Sequence, residues 1–237
     1  MIRLKVTALA LAAVLIATGC QVRTQEFNQR VMQDLPQEVQ QVQSALDRYM
    51  EQTPVLPIKS AQGHLYEKYV LDLNQLDPYL GSRPSNSYEK GGHFVFVVAD
   101  PGTGEDHQVR AMDLRVTEKM RDLKRRVDRH QQSTGKWPRG HREGEGVYQL
   151  DFEKLGIDPV TIPSPYSAQW SLPVLIDGDG VLFLDYRAEV VRVMEEQKDK
   201  LSDRQDLREL LWKDSLFVPA YSPPMEIRGD DPVLLSE

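Results

Sequence analysis

Asp177-Gly178-Asp179-Gly180 is the stretch of this 237-residue chain whose residue types come nearest to a metal site, because alternating carboxylates can chelate calcium. An EF-hand loop wants a further oxygen ligand at its fifth position and Glu at its twelfth, and those positions hold Val181 and Ala188. The four residues therefore read as a hairpin turn. His64, His93, His107, His130 and His141 fall in separate segments with no i, i+4 pair, so neither a zinc site nor any cofactor is expected. No G-x-S-x-G elbow, H-E-x-x-H helix or phosphate-binding glycine loop is present, and the chain is expected not to be an enzyme. Carboxylate pairs for glycosidase chemistry are unconstrained in sequence position, and among 36 acidic residues their presence decides nothing.

Two kinds of side chain remain as binding candidates. Asp113 with Arg115 and Asp185 with Arg187 put an acid and a base two residues apart at a strand-to-helix junction, able to grip a charged ligand. The alternative is that each Asp caps the following helix while each Arg is solvated or paired nearby. The segment Ile162-Pro163-Ser164-Pro165-Tyr166-Ser167-Ala168-Gln169-Trp170 combines stiffening prolines with two aromatics, the composition of a recognition loop with little entropy to lose. Its other reading makes Tyr166 and Trp170 caps over a sheet. Trp137, Tyr166, Trp170 and Arg187 are the candidate binding residues.

Cys20 is the only cysteine, and it closes Leu15-Ile16-Ala17-Thr18-Gly19-Cys20 behind a leader with Arg3 and Lys5 at its front and an apolar run from Val6 to Ala17. That run is shorter than the roughly 20 apolar residues a bilayer span needs. The arrangement resembles the signal peptide and lipobox of a bacterial lipoprotein, with Ala17 where that family usually has Leu. The resemblance implies cleavage after Gly19, lipidation of Cys20, and attachment to the extracytoplasmic face of the cell membrane, or to an outer membrane in a Gram-negative cell. Several acyl chains give a stable anchor where one holds only marginally.

Cleavage would leave 218 residues without a thiol, so the fold has to be stabilised by burial and not by disulfides. Removing Arg3 and Lys5 takes away two positive charges and no negative one, moving the formal charge from −7 to −9. An acidic balance argues against nucleic acid as a partner. The expected partners are the membrane, through lipid, and an envelope protein or wall component.

The elements that must position these residues follow from periodicity. Residues 20–33 read as a polar tether; Asp34 caps a helix carrying Pro36 in its first turn and Val39, Val42, Leu46, Tyr49 and Met50 on one face. Phe94 to Val98 and Val109 to Leu114 predict a hairpin joined through Pro101-Gly102-Thr103-Gly104; Leu172 to Ile176 and Val181 to Tyr186 predict a second. Between them Val116, Met120, Leu123, Val127 and His130 mark a long spine helix, with a coiled-coil partner as the other use of its stripe. Val190, Val191, Met194 and Leu201 repeat the pattern, and Ser202 with Gln205 makes a capping box for a final helix bearing Leu207, Leu210 and Leu211. Leu216-Phe217-Val218 reads as a closing strand and Pro219 to Glu237 as a loosely held tail.

The same order of pieces appears twice at a spacing near 80 residues. Val55-Leu56-Pro57 answers Lys136-Trp137-Pro138, Tyr69 to Leu73 answers Tyr148 to Phe152, and Met112-Asp113-Leu114-Arg115 answers Leu184-Asp185-Tyr186-Arg187. The expected fold is α+β: a signal peptide over 1–19, two similar helix-and-hairpin units over 34–118 and 119–201, and a helix with its tail over 202–237. Each unit resembles the soluble part of pilin-like proteins, where a long helix packs on a small sheet. In general character the chain also resembles the YphF-like lipoproteins of spore-forming Firmicutes, a resemblance that brings no activity with it. The expected function is a non-enzymatic binding or scaffold module of the cell envelope; the alternative is a solute-binding lipoprotein of a transporter, whose two lobes would enclose a ligand.

Overall fold

The computed structural model describes residues 32–59, 69–100, 107–196 and 206–235. Cys20 and its leader, His64, the 101–104 turn, Leu201 and the Ser202 and Gln205 box lie outside them. The fold is α+β, with helices packed on small antiparallel sheets. No helix among the described residues is long and apolar enough to cross a membrane.

The chain is helical over 32–50 (α1), so Asp34 and Pro36 lie inside the helix and not at its cap. Leu35, Val42, Ala45 and Leu46 are buried at helical spacing and pack on strand β1 (Phe94–Val98), which pairs with β2 (Val109–Asp113). All five residues of β1 are buried because the sheet is covered on both faces. Phe94, Phe96 and Val98 face α1 and helix α2 (Leu73–Leu80), whereas Val95 and Val97 meet Met112, Trp212 and Val218 on the other side. The two-residue period of a strand thus divides one apolar run between two clusters.

Helix α3 (Leu114–Thr134) starts on the cap Asp113 and buries Met120, Leu123 and Val127 in a second core, with His130 half-buried at the end of the stripe. The stripe is spent inside the molecule. The unit boundary expected at 118/119 falls within this helix. Four strands, β3 (Arg139–Arg142), β4 (Tyr148–Leu150), β7 (Val174–Ile176) and β8 (Leu182–Leu184), form an antiparallel sheet in the order β3-β4-β7-β8. Helix α4 (Phe152–Leu155) follows β4, and the short pair β5 (Ile162–Pro163) and β6 (Ser171–Leu172) precedes β7. The strand expected over Leu172 to Ile176 is two strands, because Pro173 has no N–H to continue a ladder.

Matching bonds recur at matching places. The Asp72 N–H donates to the Pro57 carbonyl and Asp72 caps α2; the Asp151 N–H donates to the Pro138 carbonyl and Asp151 caps α4. Isolated bridges pair Ile58 with Leu71 and Val70 with Val97, giving the first unit the pairing sequence that β3, β4 and β7 show in the second.

The C-terminal region departs from the expected loose tail. Helix α5 (Arg187–Glu196) packs on α6 (Arg208–Lys213), and strands β9 (Met225–Arg228) and β10 (Asp231–Leu234) form a hairpin whose Met225 and Leu234 are buried in the second core. Leu207 precedes α6 instead of lying within it, and Asp206 accepts the Arg208 N–H there. Between α6 and β9 the chain runs as a strap. Leu216 and Val218 bond to Ala111 of β2, and the Tyr221 carbonyl accepts the Leu184 N–H of β8. Tyr221, at φ 61°, is where the strap changes from one sheet edge to the other.

Candidate functional site: a cavity between the two units

The strap and the two units enclose a cavity of about 550 Å³, within the size range of small-molecule sites. Phe94 of β1, Tyr186 and strap residues Phe217, Val218 and Ala220 form its buried apolar side. The 163–168 loop faces them. Asp113, Arg115, Val116 and Lys119, from the first turns of α3, complete the lining, and the exposed Met32 of α1 stands with them.

Each wall is held by bonds that can be traced to its residue type. The Tyr166 hydroxyl donates to the Phe217 carbonyl at 3.2 Å, and the Tyr186 hydroxyl to the Ala220 carbonyl at 3.0 Å. Their rings meet edge to face at 5.9 Å. Ser164, buried, accepts the Tyr166 N–H with its hydroxyl oxygen, while its own N–H donates to the Trp170 carbonyl. Both tyrosines thereby use their hydroxyls to fix the strap.

The electrostatics of the lining are simple. Asp113 accepts from the Arg115 backbone N–H at 2.9 Å and from its guanidinium at 2.6 Å, so cap and ion pair share one carboxylate. Hydrogen bonding to Asp113 raises the Arg115 guanidinium above its ordinary value, against the opposing effect of burial. Lys119 donates to the Thr161 carbonyl at 2.8 Å, and no carboxylate among the described residues is within ion-pair distance of it. With Asp113 and Arg115 cancelling, the lining carries one net positive charge on a mostly apolar surface that also includes Ser164 and Ser167. It contains no histidine and one carboxylate, already engaged.

Of the candidates Trp137, Tyr166, Trp170 and Arg187, only Tyr166 lines this cavity, together with Asp113, Arg115 and the rest of the 163–168 loop. Trp137 packs half-buried on the second core, so close to Gly180 that a Cβ there would lie 2.5 Å from its ring. Gly180, at φ +83°, serves that approach and the hairpin turn together. In the same turn Asp177 accepts the Asp179 and Val181 N–H groups with its Oδ1, as the hairpin reading requires. Trp170 is 38% exposed on its loop. Arg187 lies between Asp185 and Glu143, 2.6 Å from each, and both carboxylates raise it. Asp185 also caps its backbone, so the helix-cap reading holds in both units. Lys119 was legible as a partner of Arg115, since positions four apart share a helix face. Phe217 and Val218 were read as a strand, but nothing local shows what that strand crosses.

The Glu143 carboxylate is held below its ordinary value of 4.5, first by the Arg187 hydrogen bond and against burial. Its stabilising contribution is therefore complete above about pH 4.5 and disappears as the pH falls through the lower folded value. With the side chain 17% exposed, Glu143→Gln is expected to cost about 1 kcal/mol at pH 7. The cost should shrink as the pH falls below about 4.5, a difference readable from urea unfolding at neutral and at acidic pH.

Residues 35–113 match the model of the YphF family N-terminal domain, from the first buried residue of α1 to the cap of α3. No curated protein and no solved structure matches the chain. The matched span is about a third of the sequence and coincides with the first unit, which is similar to the YphF N-terminal domain and supports a YphF-like family.

Proposed function

We propose that this chain is a lipid-anchored module on the extracytoplasmic face of a bacterial cell envelope, of the YphF-like kind, that binds an envelope component without transforming it. The observation that carries the binding reading is the cavity between the units, mostly apolar, with one net positive charge and its one carboxylate already paired with Arg115. The anchor rests on Cys20 behind its charged and apolar leader. The matching Pro57–Asp72 and Pro138–Asp151 bonds support two copies of one unit as the origin of the two walls.

A transporter solute-binding lipoprotein is the second reading, favoured by the cavity's place between two similar units. Such proteins close by hinge motion. Here the strap bonds to β2 and β8 in one short stretch, which opposes independent movement of the walls and favours a fixed binding module.

Metabolic labelling tests the anchor. Radiolabelled palmitate should enter the wild-type protein and not Cys20→Ser, with the variant released from the membrane fraction; label entering both equally, or neither, removes the lipoprotein reading. Thermal-shift screening against small polar solutes separates the two binding readings. At one hundred times the dissociation constant a ligand contributes about 2.7 kcal/mol, so a transporter solute should raise Tm by several degrees. A flat response favours the envelope module.

A further inference from the structure

We propose that the inter-unit cavity takes a single apolar chain ending in one anionic head, of the long-chain fatty-acid class. The inference rests on the lipid-anchored reading for its location and on the cavity for its chemistry. The buried side is ring and aliphatic surface from Phe94, Phe217 and Val218, which suits hydrocarbon, and the two hydroxyls of the facing loop, on Ser164 and Ser167, each already accept a backbone N–H. Charge is confined to the first turns of α3. There Asp113 neutralises Arg115, and Lys119, bonded to a backbone carbonyl, supplies one positive charge. A single carboxylate matches that charge.

Size separates a fatty acid from a membrane phospholipid. A cavity of about 550 Å³ lies toward the lower part of the range for drug-sized ligands and suits one chain, not two. Location favours the same class. Met32 at the cavity is twelve positions after Cys20, a distance of at most about 40 Å when fully extended. A lipid-anchored Cys20 therefore keeps this cavity within reach of the membrane surface, where free acyl chains are found.

The test uses the purified full chain in nanodiscs of phosphatidylcholine, which carries no net charge, and a palmitate analogue bearing a diazirine near its terminal methyl. Irradiation should place adducts on the 163–168 loop and the 216–220 strap. Excess palmitate should remove them, whereas hexadecanol, hexadecyltrimethylammonium and dipalmitoylphosphatidylglycerol should each compete about tenfold less well, the equivalent of about 1.4 kcal/mol. Lys119→Glu should lower labelling about tenfold and Lys119→Arg should retain it. Val116→Trp, which fills the cavity from a partly exposed helix position, should abolish it. Adducts scattered outside the cavity, equal competition by the cationic amphiphile, or labelling unchanged in Val116→Trp would overturn the proposal. Preferential competition by the phosphatidylglycerol would assign the cavity to a two-chain lipid and overturn it as well. Failure here with palmitate still entering Cys20 in cells removes the ligand class alone; loss of that cellular labelling removes the anchor while the photoprobe still reports on the cavity.

Discussion

Gly92→Ala should destabilise the protein by about 3 kcal/mol or more, because the added methyl has nowhere to go. A Cβ on Gly92 would lie 2.0 Å from the Asn86 carbonyl oxygen and 2.2 Å from its carbon, both backbone atoms. Relief requires moving the 84–92 loop, and α1 prevents that. Glu38, buried, accepts from the Ser85 hydroxyl at 2.8 Å and the Asn86 N–H at 3.1 Å through one carboxylate oxygen. The Asn86 carbonyl in turn accepts the Phe94 N–H at the start of β1. Displacing the loop thus strands a buried carboxylate and loosens the first core together. Gly91→Ala is the control: its φ of +83° is strained for any side chain, yet no atom lies within 4 Å, so about 1 kcal/mol is expected. Guanidinium unfolding of both variants decides the matter, and equal costs would show that the loop yields.

The second large effect concerns one motif set in three environments. Asp113-Leu114-Arg115, Asp185-Tyr186-Arg187 and Asp206-Leu207-Arg208 each accept the Arg backbone N–H on the Asp side chain at the start of a helix and hold the same guanidinium on that carboxylate at 2.6 Å. The side chains of Arg115, Arg187 and Arg208 are 47%, 27% and 8% exposed, so the chemistry is constant and the burial varies. Arg208 also donates to the buried Ser222 carbonyl at 3.1 Å. Truncating it to Ala should cost about 3 kcal/mol, since a buried carbonyl and a partly buried carboxylate lose their partner. Arg187→Ala should cost about 1–2 kcal/mol and Arg115→Ala less than about 1 kcal/mol, where water replaces the pair. The order 208, 187, 115 in urea midpoints is the expected result. A flat series would mean that the cap, which survives truncation, carries the motif's contribution.

What the sequence made legible is what local pattern determines. The run Phe94 to Val98, the stripe Val116-Met120-Leu123-Val127 and the Asp113 and Asp185 bonds to the helix starts each depend on residues within a turn or a strand of one another, and the structure places them as read, whereas Asp34, expected as a cap, lies inside α1. The third Asp-x-Arg pair was equally legible and was passed over, because Ser202 and Gln205 offered a capping box for the same helix. The C-terminal region was misjudged for a different reason. Pro219, Pro223, Pro224 and Pro232 suggest a chain without ladder bonds, yet Leu216, Val218, Ala220 and Tyr221 bond to Ala111, Leu184 and Tyr186, far earlier in the chain, and Ala220 and Ser222 are buried. Composition records the missing N–H groups and not the partners that reach the remaining ones. Tyr166 was found through its stiff, proline-flanked loop; Lys119 was passed over although it shares a helix face with Arg115, and Phe217 was missed as a site residue because a cavity between units has no signature along the chain.

The strap has a consequence for how the molecule is made. Synthesis proceeds from the amino end, so the β2 and β8 edges are complete long before residues 216–221 emerge to cover them. Until then the nascent protein presents two unpaired strand borders, each a template for a neighbour's backbone. The chamber between the units, too, comes into existence only when residues 216–221 have been delivered.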